Sequence, residues 1–290
     1  MKTSFHRIYT PDGLELHGLL YEPEQTTKAV LLHVHGMAGN FYENKFVDAL
    51  AKTVTDSGIA FCAFNNRGAE FFKDFVRLDQ SSFARVGSAY EKFEDCVVDI
   101  KTYLDFLEER GFETMHLGGH SLGSPKVAYY AATTQDKRLK SVIFISPSDM
   151  LGLARMDQER FKKDIEEATR MKEQGQGDKF MSRWVWDEYP ITAATYLNLF
   201  ADNSNAAIFN FFNHSDSFET LGKIRIPAFA VMGKKDDALV IPIEETFAKL
   251  KTGLSSSSKV ETVILGDATH GYRGHEQPLA DAIGKWLISF

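Results

Sequence analysis

Ser121 is the residue of this chain whose surroundings best suit a nucleophile. It stands in Leu117-Gly118-Gly119-His120-Ser121-Leu122-Gly123, with a glycine two positions to either side. Thr114 to Leu117 reads as a short buried strand, and Lys126 to Thr133, carrying Val127, Ala128, Tyr130 and Ala131, reads as a helix. A strand that turns straight into a helix drives the junction residue into a strained left-handed backbone conformation. Side chains at 119 and 123 would collide with the neighbouring strand and helix, so glycine fits there. The serine hydroxyl is then exposed at the strand's carboxyl end, near a helix N-terminus whose amides favour negative charge. The same residues also suit a glycine-rich turn with an N-capping serine. The rest of the chain must decide between the two.

A nucleophilic serine needs a base, and the base needs an orienter. Histidine is the side chain whose pKa suits proton shuttling near neutral pH. In an open α/β sheet, reactive groups gather at the carboxyl ends of strands. Two loops qualify. Gly233-Lys234-Lys235-Asp236-Asp237 follows the apolar run Ala228 to Met232, and Gly266-Asp267-Ala268-Thr269-His270-Gly271 follows Val260 to Leu265. They supply Asp236 or Asp237, and His270.

The elements that would position these residues alternate along the chain. Phe5 to Tyr9 and Glu15 to Tyr21 flank Asp12-Gly13, a hairpin signal. Ala29 to Val34 is a continuous apolar run, as expected of a strand covered on both faces, and ends in His35-Gly36-Met37-Ala38-Gly39. A helix over 40–57 follows, closed by Gly58, then a strand over 59–64 and a polar connection from Ala69 to Gly87. Tyr90 to Arg110 carries Phe93, Val97, Ile100, Tyr103, Leu104 and Leu107 at helical spacing. Ser141 to Ile145 is the strand after the Ser121 helix. Such alternation predicts a mostly parallel, doubly wound sheet.

From Met150 to about Gly222 the alternation stops. A charged helix over 157–174 is followed by aromatic segments with Trp184, Trp186, Tyr189, Tyr196, Phe200, Phe209, Phe211 and Phe212. This stretch is too patterned for a linker and too long for a loop. It reads as a helical cap over 150–221, inserted into a core made of 1–149 and 222–290. The sheet pattern then resumes with strands over 228–232 and 260–265 and helices over 243–250 and 278–288.

Composition narrows the function class. The chain has 290 residues, 43% of them hydrophobic, enough for a sizeable core, and a net charge of −7, which argues against a nucleic-acid partner. No run approaches the ~18 apolar residues of a membrane span, and the first residues lack the apolar stretch of a secretory signal. Cys62 and Cys96 stand apart, as core thiols of a reducing compartment do. A cytoplasmic protein is expected.

The chain resembles the α/β-hydrolase superfamily over essentially its full length. The residues that carry the resemblance are His35-Gly36, Asn65-Asn66-Arg67-Gly68, the elbow Gly119 to Gly123, Gly233 to Asp236, and His270-Gly271. The order serine, aspartate, histidine is that family's order. The resemblance implies Ser121 as nucleophile, His270 as general base and then acid, and Asp236 as orienter. Asp237 is the competitor, lying closer to Pro242, and Asp149 a third option whose capping role is the better fit. It also implies an oxyanion hole made by the backbone N–H groups of Leu122 and Met37.

The remaining candidates earn weaker roles. His33 and His116 read as core residues, His120 as a packing and hydrogen-bonding neighbour of the nucleophile, and Arg67 as the partner of a core-rim carboxylate. His214 in the cap, with Asp216 nearby, is a minor substrate-contact candidate. No metal-ligand spacing and no nucleotide-binding loop is found, so no metal or other cofactor is implied. The expected activity is hydrolysis of a carboxylic ester with apolar or aromatic parts, a small-molecule substrate, through an acyl-enzyme. Thioester, amide or carbon–carbon bond cleavage on the same triad, or a weakly catalytic ligand-binding protein, are the alternatives. Oligomeric state is not encoded legibly.

Overall fold

In the computed structural model, which describes residues 1–79 and 82–290, the chain folds around one eight-stranded sheet. β1 (Lys2–Tyr9) and β2 (Glu15–Glu22) form the expected antiparallel hairpin, with Gly13 at φ +86° in its turn. The sheet continues through β3 (Ala29–Val34), β4 (Ala60–Phe64), β7 (Thr114–His120), β8 (Leu139–Ile145), β9 (Ala228–Gly233) and β10 (Val260–Leu265). Their order in space is β1-β2-β4-β3-β7-β8-β9-β10, and every pairing from β4 to β10 is parallel.

This order dictates where a site can form. From β3 the chain crosses to β4 on one side, whereas β7 pairs with the other side of β3 and later strands extend away from it. The crossover direction therefore reverses between β3 and β7, and a crevice opens at their carboxyl ends. Those ends carry the 35–39 loop and Ser121.

Helices cover both faces. α1 (Lys45–Asp56) and α8 (Glu276–Leu287) pack together on one face, α1 burying Phe46, Val47, Leu50 and Val54. α2 (Cys96–Glu109) and α3 (Gly123–Thr134) cover the other, and α7 (Ile243–Gly253) lies between β9 and β10 in the chain. Between β8 and β9 come α4 (Met150–Arg155), α5 (Gln158–Glu173) and α6 (Ala193–Phe200), with no strand among the described residues there, only isolated bridges such as Phe180 with Thr192. No helix among the described residues is long and apolar enough to cross a membrane.

Three sequence expectations need correction, the first being the helix expected over 40–57, which is helical only from Lys45 to Asp56. The connection over 69–87 contains an antiparallel pair, β5 (Lys73–Val76) and β6 (Phe83–Val86), although Gln80 and Ser81 lie outside the described residues. Within these short strands only Phe75 is fully buried, so the period-two signal was too brief to read. The helix expected from Tyr90 begins regular α geometry only at Cys96. Ahead of it Glu91 is drawn into the core by Lys126, and the Phe93 N–H donates to Asn198 Oδ1 at 2.7 Å, both incompatible with an extra helical turn.

Candidate active site

The elbow at Ser121 is held by contacts only glycine permits. A methyl group at Gly119 would lie 2.2 Å from the Gly123 carbonyl oxygen, and one at Gly123 would lie 2.2 Å from the Val34 carbonyl oxygen. Ser121 itself sits at φ +56°, the left-handed region expected of it. Ser124 Oγ donates to the Gly119 carbonyl at 2.6 Å, and the Ser121 N–H to the Ile145 carbonyl at 3.0 Å, so the turn is tied to β8 as well.

The loop after β3 lies directly against the serine. A methyl at Gly36 would stand 2.8 Å from Ser121 Cβ and 3.3 Å from its Oγ. His35 fixes this loop by using both ring nitrogens: Nδ1 donates to the Gly36 carbonyl at 2.8 Å, and Nε2 accepts from the Asn66 N–H at 3.1 Å. Burial, with Lys126 adding to it, lowers the His35 pKa to about 3, so the ring stays neutral and keeps that tautomer. The N–H groups of Met37 and Leu122 have no hydrogen-bond acceptor among the described residues.

Of the two aspartates, Asp236 reaches the histidine. Its Oδ1 accepts from His270 Nδ1 at 2.8 Å and from the Ala238 N–H at 2.9 Å. Its carboxylate is fully buried, whereas Asp237 is exposed at the cleft rim. Burial would raise the Asp236 pKa, but the hydrogen bond and charge of His270, with the Ser146 hydroxyl nearby, hold it below the ordinary carboxylate value. Burial likewise lowers His270, and the hydrogen bond and charge of Asp236 outweigh it, leaving the imidazole above 6.5.

Ser121 and His270 line one cleft of about 440 Å³. Their side chains are not hydrogen-bonded: Ser121 Oγ lies 3.3 Å from Ser148 Oγ, and His270 Nε2 has no partner among the described residues. A turn about the serine Cα–Cβ bond redirects the hydroxyl, a soft motion compared with any backbone shift. Catalytic hydrogen bonds are often loose before substrate binds. Ser148 was missed by sequence reasoning. Its signal was its position just past the carboxyl end of β8, the strand paired with β7.

Asp149, the third acid the sequence offered, is bonded elsewhere. It caps α4, accepting from the Gly152 N–H, and accepts from the Phe212 N–H, both at 2.7 Å, and burial raises it to about 6. Arg67 pairs with Asp99 at 2.8 Å and with Asp12 and Asp95, as the sequence suggested. His116 bonds Ser141 Oγ in the core, and His33 is buried. His214 is exposed beside Lys249 and Glu245 and does not line the cleft. Asp267 pairs with Lys235 at the surface. The trio Asp236, Asp237 and His270 is the one group of metal-ligating side chains close enough for an ion among the described residues, all ligand atoms lying within 4.8 Å. Two of its three members are already bonded to each other.

Much of the cleft lining comes from the segment between β8 and β9. Met150, Leu153, Val185 and Trp186 are apolar, and Tyr189, Tyr196 and Asp164 bring polar atoms.

Residues 29–270 match the family described as the alpha/beta hydrolase fold. No curated protein matches the sequence. Among solved structures the chain is similar to Est1E from Butyrivibrio proteoclasticus with ferulic acid bound, at TM-score 0.69 and 19% identity, covering 98% of each chain. It is similar to the α/β hydrolase GrgF from a Penicillium species, at TM-score 0.69 and 16% identity over 99% of this chain and 97% of that one. An esterase of Pyrococcus furiosus gives TM-score 0.64 and 14% identity, over 100% and 92%.

Proposed function

This chain belongs to the α/β-hydrolase family, and from that premise we propose that it is a serine esterase acting on a small ester with an apolar or aromatic portion. The observation that carries the reading is the 2.8 Å bond from His270 Nδ1 to a buried Asp236, with His270 Nε2 unpartnered among the described residues and His270 lining the same cleft as Ser121. Asp236 holds the tautomer in which Nε2 can accept a proton. Ser121 Oγ, turned away from Ser148, attacks the ester carbonyl as His270 takes its proton. The N–H groups of Met37 and Leu122 stabilise the oxyanion, each worth about 3 kcal/mol. His270 then protonates the departing alcohol, and a water activated by the same ring hydrolyses the acyl-enzyme.

Helices α4 to α6 act as a cap over 150–221, closing on the substrate a cleft lined by apolar, aromatic and charged side chains. Est1E with ferulic acid bound and the Pyrococcus esterase have the same fold and support esters over other acyl derivatives. The buried free thiols Cys62 and Cys96 suit a reducing compartment. The test is turnover of a chain-length series of p-nitrophenyl esters beside Ser121→Ala, with fluorophosphonate labelling of both. Serine-dependent turnover supports the reading. Labelling without ester turnover moves the search to thioesters, amides and carbon–carbon substrates, and the absence of both turnover and labelling overturns the enzyme reading in favour of the ligand-binding alternative.

A further inference from the structure

Asp164 of α5 lines the cleft as a buried carboxylate with one oxygen left without a donor. The residue is 6% exposed. Its Oδ1 is buried without a hydrogen-bond partner among the described residues. Two arginines form ion pairs with it, Arg160 Nε at 3.6 Å from Oδ2 and Arg183 Nη2 at 3.9 Å from Oδ1, and the longer contact leaves Oδ1 without a hydrogen bond. Arg160 spends its other nitrogens elsewhere, on both oxygens of Asp187 at 3.0 Å and on the Trp184 carbonyl. A buried carboxylate oxygen without a donor costs free energy that a bound donor would recover.

Tyr196 of α6 lines the same cleft and is 3% exposed, and its phenol makes no hydrogen bond among the described residues. Helices α5 and α6 pack against each other, which brings Asp164 and Tyr196 into one cleft lining, and burial first, then the charge of Asp164, raises the Tyr196 pKa, so the phenol stays protonated. A carboxylate that can only accept and a phenol that can donate together match one chemical group. An alcohol hydroxyl gives a hydrogen to the first and offers a lone pair to the second. An ammonium has no lone pair for Tyr196 and would meet Arg160 and Arg183 beside Asp164. An unsubstituted alkyl chain would leave both groups unsatisfied.

We propose that Asp164 and Tyr196 form a specificity subsite that binds a hydroxyl on the substrate, borne at the end remote from the ester. This rests on the esterase reading for the identity of the reacting group, but not for binding. The cleft lining combines apolar Leu153, Val185 and Trp186 with the two subsite groups and with the charged Asp157, Arg160 and Glu188, and an ω-hydroxyacyl ester supplies both an apolar chain and a polar end. Sites built to bond a hydroxyl discriminate strongly against analogues that lack it, because the site's own buried groups are left unpaired.

The test is calorimetric binding to full-length Ser121→Ala of ethyl ω-hydroxyalkanoates, from butanoyl to decanoyl, against their unsubstituted counterparts. At one chain length the hydroxyl should tighten binding about tenfold to hundredfold. Tyr196→Phe, which keeps the ring packed against Phe200, should reduce that ratio several-fold, and Asp164→Ala should bring it near unity. The ratio is insensitive to the folded fraction of a variant. Equal binding of both series at every length overturns the subsite. A hydroxyl preference in binding, with no ester turnover by the unmodified protein, leaves the subsite standing and overturns the esterase reading alone.

Discussion

His120 Nε2 donates to the backbone carbonyl of His270 across 2.9 Å, tying the residue before the nucleophile to the histidine proposed as its base. Burial, followed by the proximity of His270, lowers the His120 pKa to about 3. The ring is therefore neutral, and its one N–H is committed to that carbonyl. It also packs at 5.0 Å against Phe46 of α1. The His270 loop is thus braced from the strand that ends in Ser121, and the brace spans 150 residues of sequence. Replacing His120 by Ala frees the loop without touching the reacting groups. The expected result is a fall of about tenfold to hundredfold in kcat, as sub-ångström misplacement produces, with KM little changed. Steady-state kinetics on a short ester decide it. A change confined to KM would mean the ring shapes the cleft instead of bracing the base.

Asp236 and Asp237 are adjacent in sequence but opposite in environment. Asp236→Asn keeps the shape while reversing the tautomer that His270 needs, and kcat/KM should drop by about four orders of magnitude. Asp237→Asn removes only an exposed charge and should cost less than about threefold. Parallel kinetics on the two variants test this. Comparable losses would show that the orienter has been misassigned.

The pH dependence follows from the His270 shift. Only neutral His270 can accept the serine proton, so kcat/KM should climb with pH through a midpoint above 6.5. Asp237 contributes to holding that value up, so Asp237→Asn should move the midpoint to lower pH. For stability the two groups act in opposite directions. The raised His270 contributes most below about 6.5 and loses that contribution as pH rises through its folded value. The depressed Asp236 contributes above 3.8 and loses it as pH falls through its own lowered value. The Tm advantage of the parent over His270→Gln should therefore be larger in mildly acidic than in alkaline buffer. An advantage that grows with alkalinity would contradict the assigned shift.

Much of the site was legible because backbone geometry forces it. The glycines at 119 and 123 face carbonyl oxygens at 2.2 Å, so their identity announced the elbow. Asp236 and His270 follow strands whose apolar runs were unmistakable. Less visible was what tertiary contact alone decides. Ser148 joins Ser121 only because β8 pairs beside β7. Asp164 sits in a strongly charged helix, where one acidic residue looks like any other, and only the fold turns it into the cleft wall. The β5–β6 pair failed for a different reason, since each strand has four residues and together they bury little.

Lys126 Nζ on α3 and Glu91 Oε1 form a fully buried ion pair, their side chains 0% and 1% exposed, which no spacing or motif in the sequence announces. The lysine also reaches Asn66 Oδ1 at 3.4 Å, and the Asn66 N–H is the donor that His35 accepts. Burial raises the Glu91 pKa, with Lys126 pulling it back, so the carboxylate depends on the lysine for its charge. Lys126→Met would leave that carboxylate uncompensated and should cost about 3–5 kcal/mol of stability. Exchanging both residues, Lys126→Met with Glu91→Leu, removes the stranded charge along with its partner and should recover most of the loss. Urea unfolding of the single and double variants measures the difference. A double variant no more stable than the single would assign the cost to packing. Recovered stability with kcat still depressed would mean that the pair is kept to hold Asn66 and, through His35, the Gly36 turn against Ser121.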